Sequence, residues 1–129
     1  MNFPKELRYT KSHEWAKLSG NKVLVGITDY AQKEISDVVF VDLPKPGQAV
    51  VRGKPAAVVE SVKAAFDIYA PVSGKVTQKN SALESTPELV NQDCYGKGWF
   101  FEIELSSCGE WDELMTSEQY AQHIQQEVR

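Results

Sequence analysis

Ala56-Ala57-Val58-Val59-Glu60-Ser61-Val62-Lys63-Ala64-Ala65-Phe66-Asp67-Ile68-Tyr69-Ala70 is the stretch that decides the fold. Its two runs, 56–61 and 66–70, predict β-strands because β-branched and aromatic side chains favour extended backbone. Lys63 lies between them, at a tight turn that lacks the usual Asn-Gly or Asp-Gly pair. Composition alone predicts that Lys63 is an ordinary solvent-exposed lysine. The turn sequence instead indicates a tip that presents its amine to another protein, as a covalent cofactor attachment site must.

The remainder of the chain predicts mainly β-structure with short helices. Each strand is rich in β-branched or aromatic residues or alternates apolar with polar ones, and these segments are 13–18, 23–28, 38–43, 75–79 and 98–105. Ser19-Gly20-Asn21 has hairpin-turn chemistry between the first two strands. Thr28 is positioned as the N-cap of a short helix that ends near Ile35. The chain of 129 residues fits one domain better than two.

Two helices are expected near the C-terminus, one around 111–115 and one from 118 to about 127. Ser107-x-x-Glu110 and Thr116-x-x-Gln119 both match the capping-box pattern that begins many helices. In the second helix, Tyr120 and Ile124 are four residues apart, so they share one face and are expected to pack together.

Charge and hydropathy exclude several classes of partner. The net charge is −4 and no basic stripe is visible, which argues against binding nucleic acid. No apolar run approaches the length of a transmembrane helix, and the N-terminus lacks the apolar core of a secretory signal. We therefore expect a soluble protein that has no membrane partner and is located in the cytoplasm, or in an organelle lumen after processing.

Catalytic and metal-binding patterns are weak. If Ser12, His13 and Glu14 lay along one strand, His13 would point away from its two neighbours, so adjacency does not imply a triad. The two cysteines, Cys94 and Cys108, are far apart and lack ligand spacing, which indicates free thiols and no metal site. An enzyme with Cys94 as its nucleophile remains an alternative at this point.

Several separate motifs then follow one another along most of the chain. They are Tyr9-Thr10 with Ser12-His13-Glu14-Trp15, the stretches 25–32 and 38–44, Glu60-Ser61-Val62-Lys63-Ala64, Asp67-Ile68-Tyr69, Pro71-Val72-Ser73-Gly74, Leu89-Val90-Asn91 and Gly98-Trp99. In these motifs and in their order, the chain closely resembles the glycine cleavage H-protein family, whose members are lipoyl carriers.

The resemblance implies a fold and an attachment site. The expected fold is mainly β (α+β), a lipoyl/biotinyl-type hammerhead β-sandwich with a short internal helix and C-terminal helices. Residues 1–129 would form a single lipoyl-carrier domain, with a lipoyl-type core at about 22–105 and a helical segment at about 108–127. Lys63 would be the lipoylated residue, and lipoate its covalent cofactor. The local context recognised at this lysine would be Glu60, Ser61, Val62 and Ala64.

The resemblance also implies the function and the partners. The chain would be a non-catalytic carrier subunit that takes an aminomethyl group from a pyridoxal-phosphate glycine decarboxylase. It would deliver this group to a tetrahydrofolate-dependent aminomethyltransferase and pass electrons to a dihydrolipoamide dehydrogenase. Lipoate-attaching enzymes would modify Lys63. A carrier needs no catalytic base of its own, since the chemistry belongs to the cofactor and the partner enzymes.

A cleft for the loaded arm is a further expectation from the resemblance. The aminomethyl cargo has a cationic amine and can decompose in water, so a cleft with a carboxylate would hold and shield it. The resemblance places this cleft near Ser12, Glu14, Ile27, Ala31 and Asp67. Family members usually carry a small hydroxyl residue where this chain has Phe66, which lies three residues from Lys63. Phe66 would either narrow the cleft or alter the contacts of a lipoate-attaching enzyme.

Other readings remain open. An H-like protein that donates lipoate, or serves as an interaction module without glycine cleavage, would use the same lysine. Lipoyl domains of 2-oxoacid dehydrogenases are usually smaller and resemble Asp-Lys-Ala at the lysine. Biotin carriers usually show Met-Lys-Met, whereas Val62 and Ala64 flank this lysine.

Overall fold

Most of the regular structure consists of β-strands. The computed structural model describes residues 3–127, apart from the side chains of Cys108 and Glu127. The strands are β1 Arg8–Tyr9, β2 Glu14–Ser19, β3 Lys22–Ile27, β4 Val38–Asp42, β5 Ala49–Val50, β6 Pro55–Ser61, β7 Ala65–Tyr69, β8 Gly74–Lys79 and β9 Phe101–Leu105. The helices are α1 Asp29–Ile35, α2 Ala82–Ser85, α3 Leu89–Gln92, α4 Cys108–Asp112 and α5 Ser117–Glu127. The predicted mainly β fold with short helices is confirmed.

Two antiparallel sheets hold the core between them. The larger has the strand order β1-β2-β3-β9-β8-β5, and the smaller has the order β4-β6-β7. Inward-facing residues of both sheets form one buried cluster that includes Val25, Val41, Val59, Ile68 and Ile103. Burying each such side chain contributes about 1.5–3 kcal/mol, so this cluster is what joins the sheets into a sandwich.

Both predicted hairpins are present. β2 pairs with β3 through Ser19 opposite Lys22, and Gly20 adopts the left-handed backbone that the tight turn requires. β6 pairs with β7 in the smaller sheet, with Glu60 opposite Ala65. Lys63 therefore lies at the tip of the β6–β7 hairpin.

Two of the three expected helix caps are confirmed, and one is wrong. Thr28 Oγ1 accepts a hydrogen bond from Ala31 N at the start of α1 (3.2 Å). Before α5, Gln119 N donates to Thr116 Oγ1 (3.3 Å), and Thr116 N donates in return to Gln119 Oε1 (2.9 Å). The Ser107–Glu110 capping box does not form, since the side chain of Ser107 makes no cap hydrogen bond.

Glu110 serves a different purpose from the one predicted. Its carboxylate accepts hydrogen bonds from Ser73 N (2.7 Å) and Ser73 Oγ (3.0 Å), which tie α4 to the loop before β8.

A second cluster packs α5 against β1 and β2, and it is formed by Leu7, Tyr9, Trp15, Tyr120 and Ile124. Tyr120 and Ile124 share one face of α5, as their spacing predicts. Among residues 3–127, no helix is long and apolar enough to cross a membrane.

Candidate functional site

The tip of the β6–β7 hairpin is shaped by the side chain of Ser61. Ser61 Oγ accepts hydrogen bonds from Lys63 N (3.1 Å) and Ala64 N (3.4 Å), and it donates to Ala64 O (3.3 Å). Ser61 N also donates to Ala64 O (2.9 Å). A serine hydroxyl can substitute for the special backbone of an Asn-Gly turn, because it satisfies the turn's own polar groups. This explains how the tip forms without a standard hairpin sequence.

Lys63 is exposed on a tip that is anchored to a neighbouring segment. Val62 N donates a hydrogen bond to Asp37 O (3.0 Å), just before β4, although the Val62 side chain itself is 66% exposed. Glu60 and Ala64 are also exposed, so the four residues expected to form the attachment context surround an accessible lysine. An enzyme can therefore reach Lys63 without unfolding the hairpin.

The amine of Lys63 lies against the end of α1. Lys63 Nζ donates a hydrogen bond to the main-chain carbonyl of Glu34 (2.9 Å), in the last turn of this helix. Carbonyl groups at a helix C-terminus lack partners within the helix and are good acceptors for a cation. Glu34 also lines a groove beside α1, so the amine contacts a residue of the groove lining, although Lys63 itself does not line the groove.

The α1 groove has a cavity volume of about 250 Å³. Its lining is apolar at Ile27, Ala31, Ile35, Val59, Phe66 and Ile68, and polar at Ser12, His13, Tyr30, Glu34 and Asp67. Four of the five residues predicted for the arm cleft, Ser12, Ile27, Ala31 and Asp67, are thus brought together here. A groove with an apolar lining and a few polar groups has the usual composition of a site for a small organic group.

Glu14, the fifth predicted residue, does not line the α1 groove. It is 1% exposed and borders a neighbouring groove of about 310 Å³, while Ser12 borders both. Glu14 Oε1 accepts hydrogen bonds from Thr10 Oγ1 (2.5 Å) and Ser12 Oγ (2.6 Å), and Oε2 accepts one from Tyr69 N (3.2 Å). Burial raises the pKa of Glu14, and these hydrogen bonds offset only part of that rise.

The backbone around His13 differs from the expected strand. β2 begins at Glu14, and His13 has a left-handed backbone with φ of 77°. The contact between Ser12 and Glu14 therefore arises from a turn, in which His13 N donates to Thr10 O (3.2 Å), and not from the alternation of a strand. The His13 ring points to α5, where Nδ1 lies 2.8 Å from the hydroxyl of Tyr120.

Cys94 is poorly suited to nucleophilic chemistry. Its side chain is 8% exposed, and burial raises the pKa of the thiol to about 12. The thiolate is the reactive form of cysteine, so this thiol is almost entirely unreactive near neutral pH. Its main-chain carbonyl has a structural role, because it accepts a hydrogen bond from Trp15 Nε1 (2.8 Å).

Several groove residues were not predicted from the sequence. Tyr30 and Glu34 line the groove from α1, where they follow the same helical spacing as Ala31 and Ile35. This helical periodicity could have identified Tyr30 and Glu34 from the sequence, because a short helix presents one face to its neighbours. His13 gave no such signal, since its position depends on a local turn and on a contact with the distant α5.

Comparisons with known proteins agree on one family. Residues 7–127 match the family model described as Glycine cleavage H-protein. The glycine cleavage system H protein of Thermus thermophilus is 54% identical over 128 residues, which cover 99% of this chain and 100% of that protein. The protein of the same name from Carboxydothermus hydrogenoformans is 49% identical over 124 residues, covering 96% and 95%. A crystal structure of a glycine cleavage system H protein from Mycobacterium marinum superposes with a TM-score of 0.87 and 34% identity, covering 95% of this chain and 98% of that one.

Proposed function

The chain belongs to the glycine cleavage H-protein family, and from this premise we propose that it is a non-catalytic carrier with a lipoyl group on Lys63. The observation that supports this most is the position of the Lys63 amine, on an exposed tip and 2.9 Å from the main-chain oxygen of Glu34, a residue that lines the α1 groove. An accessible primary amine beside a largely apolar groove suits a lipoyl group, which joins lysine through an amide and has an aliphatic chain.

Attachment would change the chemistry of Lys63 in two ways. Amide formation removes the positive charge, and the nitrogen keeps one N–H that can still donate to Glu34 O. The carbonyl would then hold the start of the arm beside α1. When bound, the lipoyl group would supply a dithiolane that accepts the aminomethyl cargo and two electrons, and the chain would contribute the position of the arm.

The partners we propose act on the same exposed tip in turn. Lipoate-attaching enzymes modify Lys63, a glycine decarboxylase loads the arm, a tetrahydrofolate-dependent aminomethyltransferase unloads it, and dihydrolipoamide dehydrogenase reoxidises it. A tethered arm gives each of these enzymes a high effective concentration of substrate without new contacts. The anchoring of the tip through Val62 N to Asp37 O supports this role, because it keeps the attachment point in one place.

We also propose that the α1 groove receives the loaded arm between partners. Ile27 and Ala31 would contact its aliphatic part, and Asp67 would attract the cationic amine of the cargo. Glu14 would act through Ser12. The Ser12 hydroxyl donates a hydrogen bond to the buried Glu14 carboxylate, which would hold that hydroxyl in place beside the groove. The largely apolar lining of this groove, about 250 Å³ in volume, would shield one side of a small group from water.

Reconstitution with purified partner enzymes tests the proposed function. Glycine-dependent release of carbon dioxide should require the lipoylated chain and should be absent with Lys63→Arg. Lys33→Arg is the matched control, since Lys33 is an exposed lysine of α1 that pairs only weakly with Asp29 (3.9 Å). Carbon dioxide release without the lipoylated chain would contradict the proposal. Transfer of lipoate to another protein without glycine cleavage would favour the lipoate-donor alternative.

A further inference from the structure

The hydroxyl of Tyr120 connects two segments that wall the α1 groove. Tyr120 is fully buried in α5, far along the chain from the groove residues. Its oxygen lies 2.8 Å from His13 Nδ1 and 2.7 Å from Thr28 Oγ1. His13 lines the groove directly, and Thr28 caps α1, which contributes Ala31 to the same groove. A single hydroxyl of the C-terminal helix therefore contacts both walls.

This connection persists whether or not His13 Nδ1 carries a proton. A tyrosine hydroxyl donates one hydrogen and also accepts. If Nδ1 is unprotonated, Thr28 donates to Tyr120, and Tyr120 donates to Nδ1. If Nδ1 is protonated, it donates to Tyr120, and Tyr120 donates to Thr28. In both arrangements Thr28 Oγ1 still accepts from Ala31 N (3.2 Å), so the cap of α1 is retained.

The backbone of His13 depends on such contacts. A φ of 77° is unfavourable for a residue other than glycine, and it persists only where the surroundings hold it. The His13 ring has its centroid 4.9 Å from that of Tyr30 and 5.8 Å from that of Tyr120. Thr28 N also donates to His13 O (3.0 Å), which joins the two walls through their main chains.

We infer that Tyr120 is a positioning residue for the α1 groove. Its hydroxyl holds His13 and the N-cap Thr28 in a fixed relation, so α5 determines the shape of a groove that it does not itself line. The consequence for the cargo rests on the proposed function of the groove. The structural link between α5 and the two walls does not rest on it.

Tyr120→Phe tests this inference, because phenylalanine keeps the ring that stacks on Tyr9 with centroids 4.8 Å apart. Tyr9→Phe is the matched control, since it removes a hydroxyl of the same cluster that donates to Pro4 O (2.6 Å), and Pro4 does not line the groove. In the unlipoylated chain, NMR would follow the imidazole signals of His13 and the hydrogen exchange of the Ala31 amide. Thr28→Val, a second variant, removes the hydroxyl at the other end of the connection.

Tyr120→Phe removes both hydrogen bonds of the hydroxyl. It should shift the His13 signals and accelerate Ala31 exchange roughly fivefold to tenfold, the effect expected when the one hydrogen bond that holds the cap residue Thr28 is lost. Thr28→Val should also shift the His13 signals, because it removes the other partner of the Tyr120 hydroxyl, and Tyr9→Phe should change neither quantity. Unchanged His13 signals and equal Ala31 exchange in Tyr120→Phe and Tyr9→Phe would overturn the inference. If Tyr120→Phe does not fold, unchanged His13 signals in Thr28→Val would overturn the inference.

The loaded, lipoylated chain gives a second readout. Cargo should be lost about threefold to tenfold faster from Tyr120→Phe than from wild type, and Tyr9→Phe should match wild type. If the wild type retains cargo no longer than a free lipoamide adduct, the proposed role of the groove fails, and the NMR results still decide whether Tyr120 positions its walls. If the wild type protects its cargo and Tyr120→Phe protects it equally, the inference fails alone.

Discussion

Replacing Asp67 with asparagine should weaken the hold of the α1 groove on its cationic cargo. Asp67 is an exposed carboxylate of β7 that lines this groove, and asparagine has nearly the same shape without the charge. Exposed ion pairs contribute about 0.2–1 kcal/mol. Since each 1.36 kcal/mol corresponds to a tenfold change, the loaded form should lose its cargo roughly 1.4 to 5 times faster.

The assay is the first-order release of ammonia and formaldehyde from the loaded, lipoylated chain, followed without partner enzymes. Glu60→Gln is the control, because Glu60 is an exposed carboxylate of the same hairpin that does not line the groove. The difference between wild type and Asp67→Asn should also shrink with salt, as the Debye length falls from about 30 Å at 0.01 M to about 3 Å at 1 M.

Two results would refute the reasoning about Asp67. Equal lifetimes for wild type and Asp67→Asn at low salt would show that the carboxylate does not attract the cargo. An equal loss in Glu60→Gln would show that the effect comes from the general charge of the hairpin and not from the groove.

Three further predictions concern the residues around the attachment site. Burial raises the pKa of Glu14 above its ordinary value of 4.5, so wild type should lose unfolding free energy as pH rises from that value to the raised pKa. Glu14→Gln cannot ionise and should lack this decline in denaturant titrations, and identical pH profiles would contradict the assignment. Ser61→Ala should slow lipoyl attachment severalfold, because the hydroxyl that shapes the tip is lost, and Ser61→Thr should restore most of the rate. A time course of intact mass measures both rates, and equal rates for wild type and Ser61→Ala would count against this role. Phe66→Ser should shorten the lifetime of the loaded form and lower stability by roughly half of the 3–5 kcal/mol typical of a fully buried phenylalanine, and an unchanged lifetime would exclude Phe66 as a groove contact.

The Lys63 hairpin could be predicted because its strands obey local rules. Val59 and Ile68 alternate with more exposed neighbours, and the turn between the strands follows from where the β-branched residues stop. The cap of α1 could be predicted equally well, since Thr28 precedes a helical run and has a side chain that can accept a hydrogen bond from Ala31 N. Local propensity and the final structure agree at these positions.

Other features depend on contacts between distant segments and could not be predicted from local sequence. Ser107 and Glu110 match a capping box, yet the Glu110 carboxylate accepts from Ser73, which the fold brings beside α4. The strands β1 and β5 have two residues each, too few for any periodicity. Sequence spacing also does not reveal that Glu14 is absent from the groove lining, because the chain turns at His13 and the Glu14 carboxylate accepts from Thr10, Ser12 and Tyr69.

The central proposal is that Lys63 carries the lipoyl group, and the intact mass of the native protein tests it most directly. Protein purified from a lipoate-replete host should be heavier than the unmodified chain by one lipoyl group, and Lys63→Arg purified in the same way should lack this increment. An unmodified wild-type protein from that host, or an increment that persists in Lys63→Arg, would contradict the proposal.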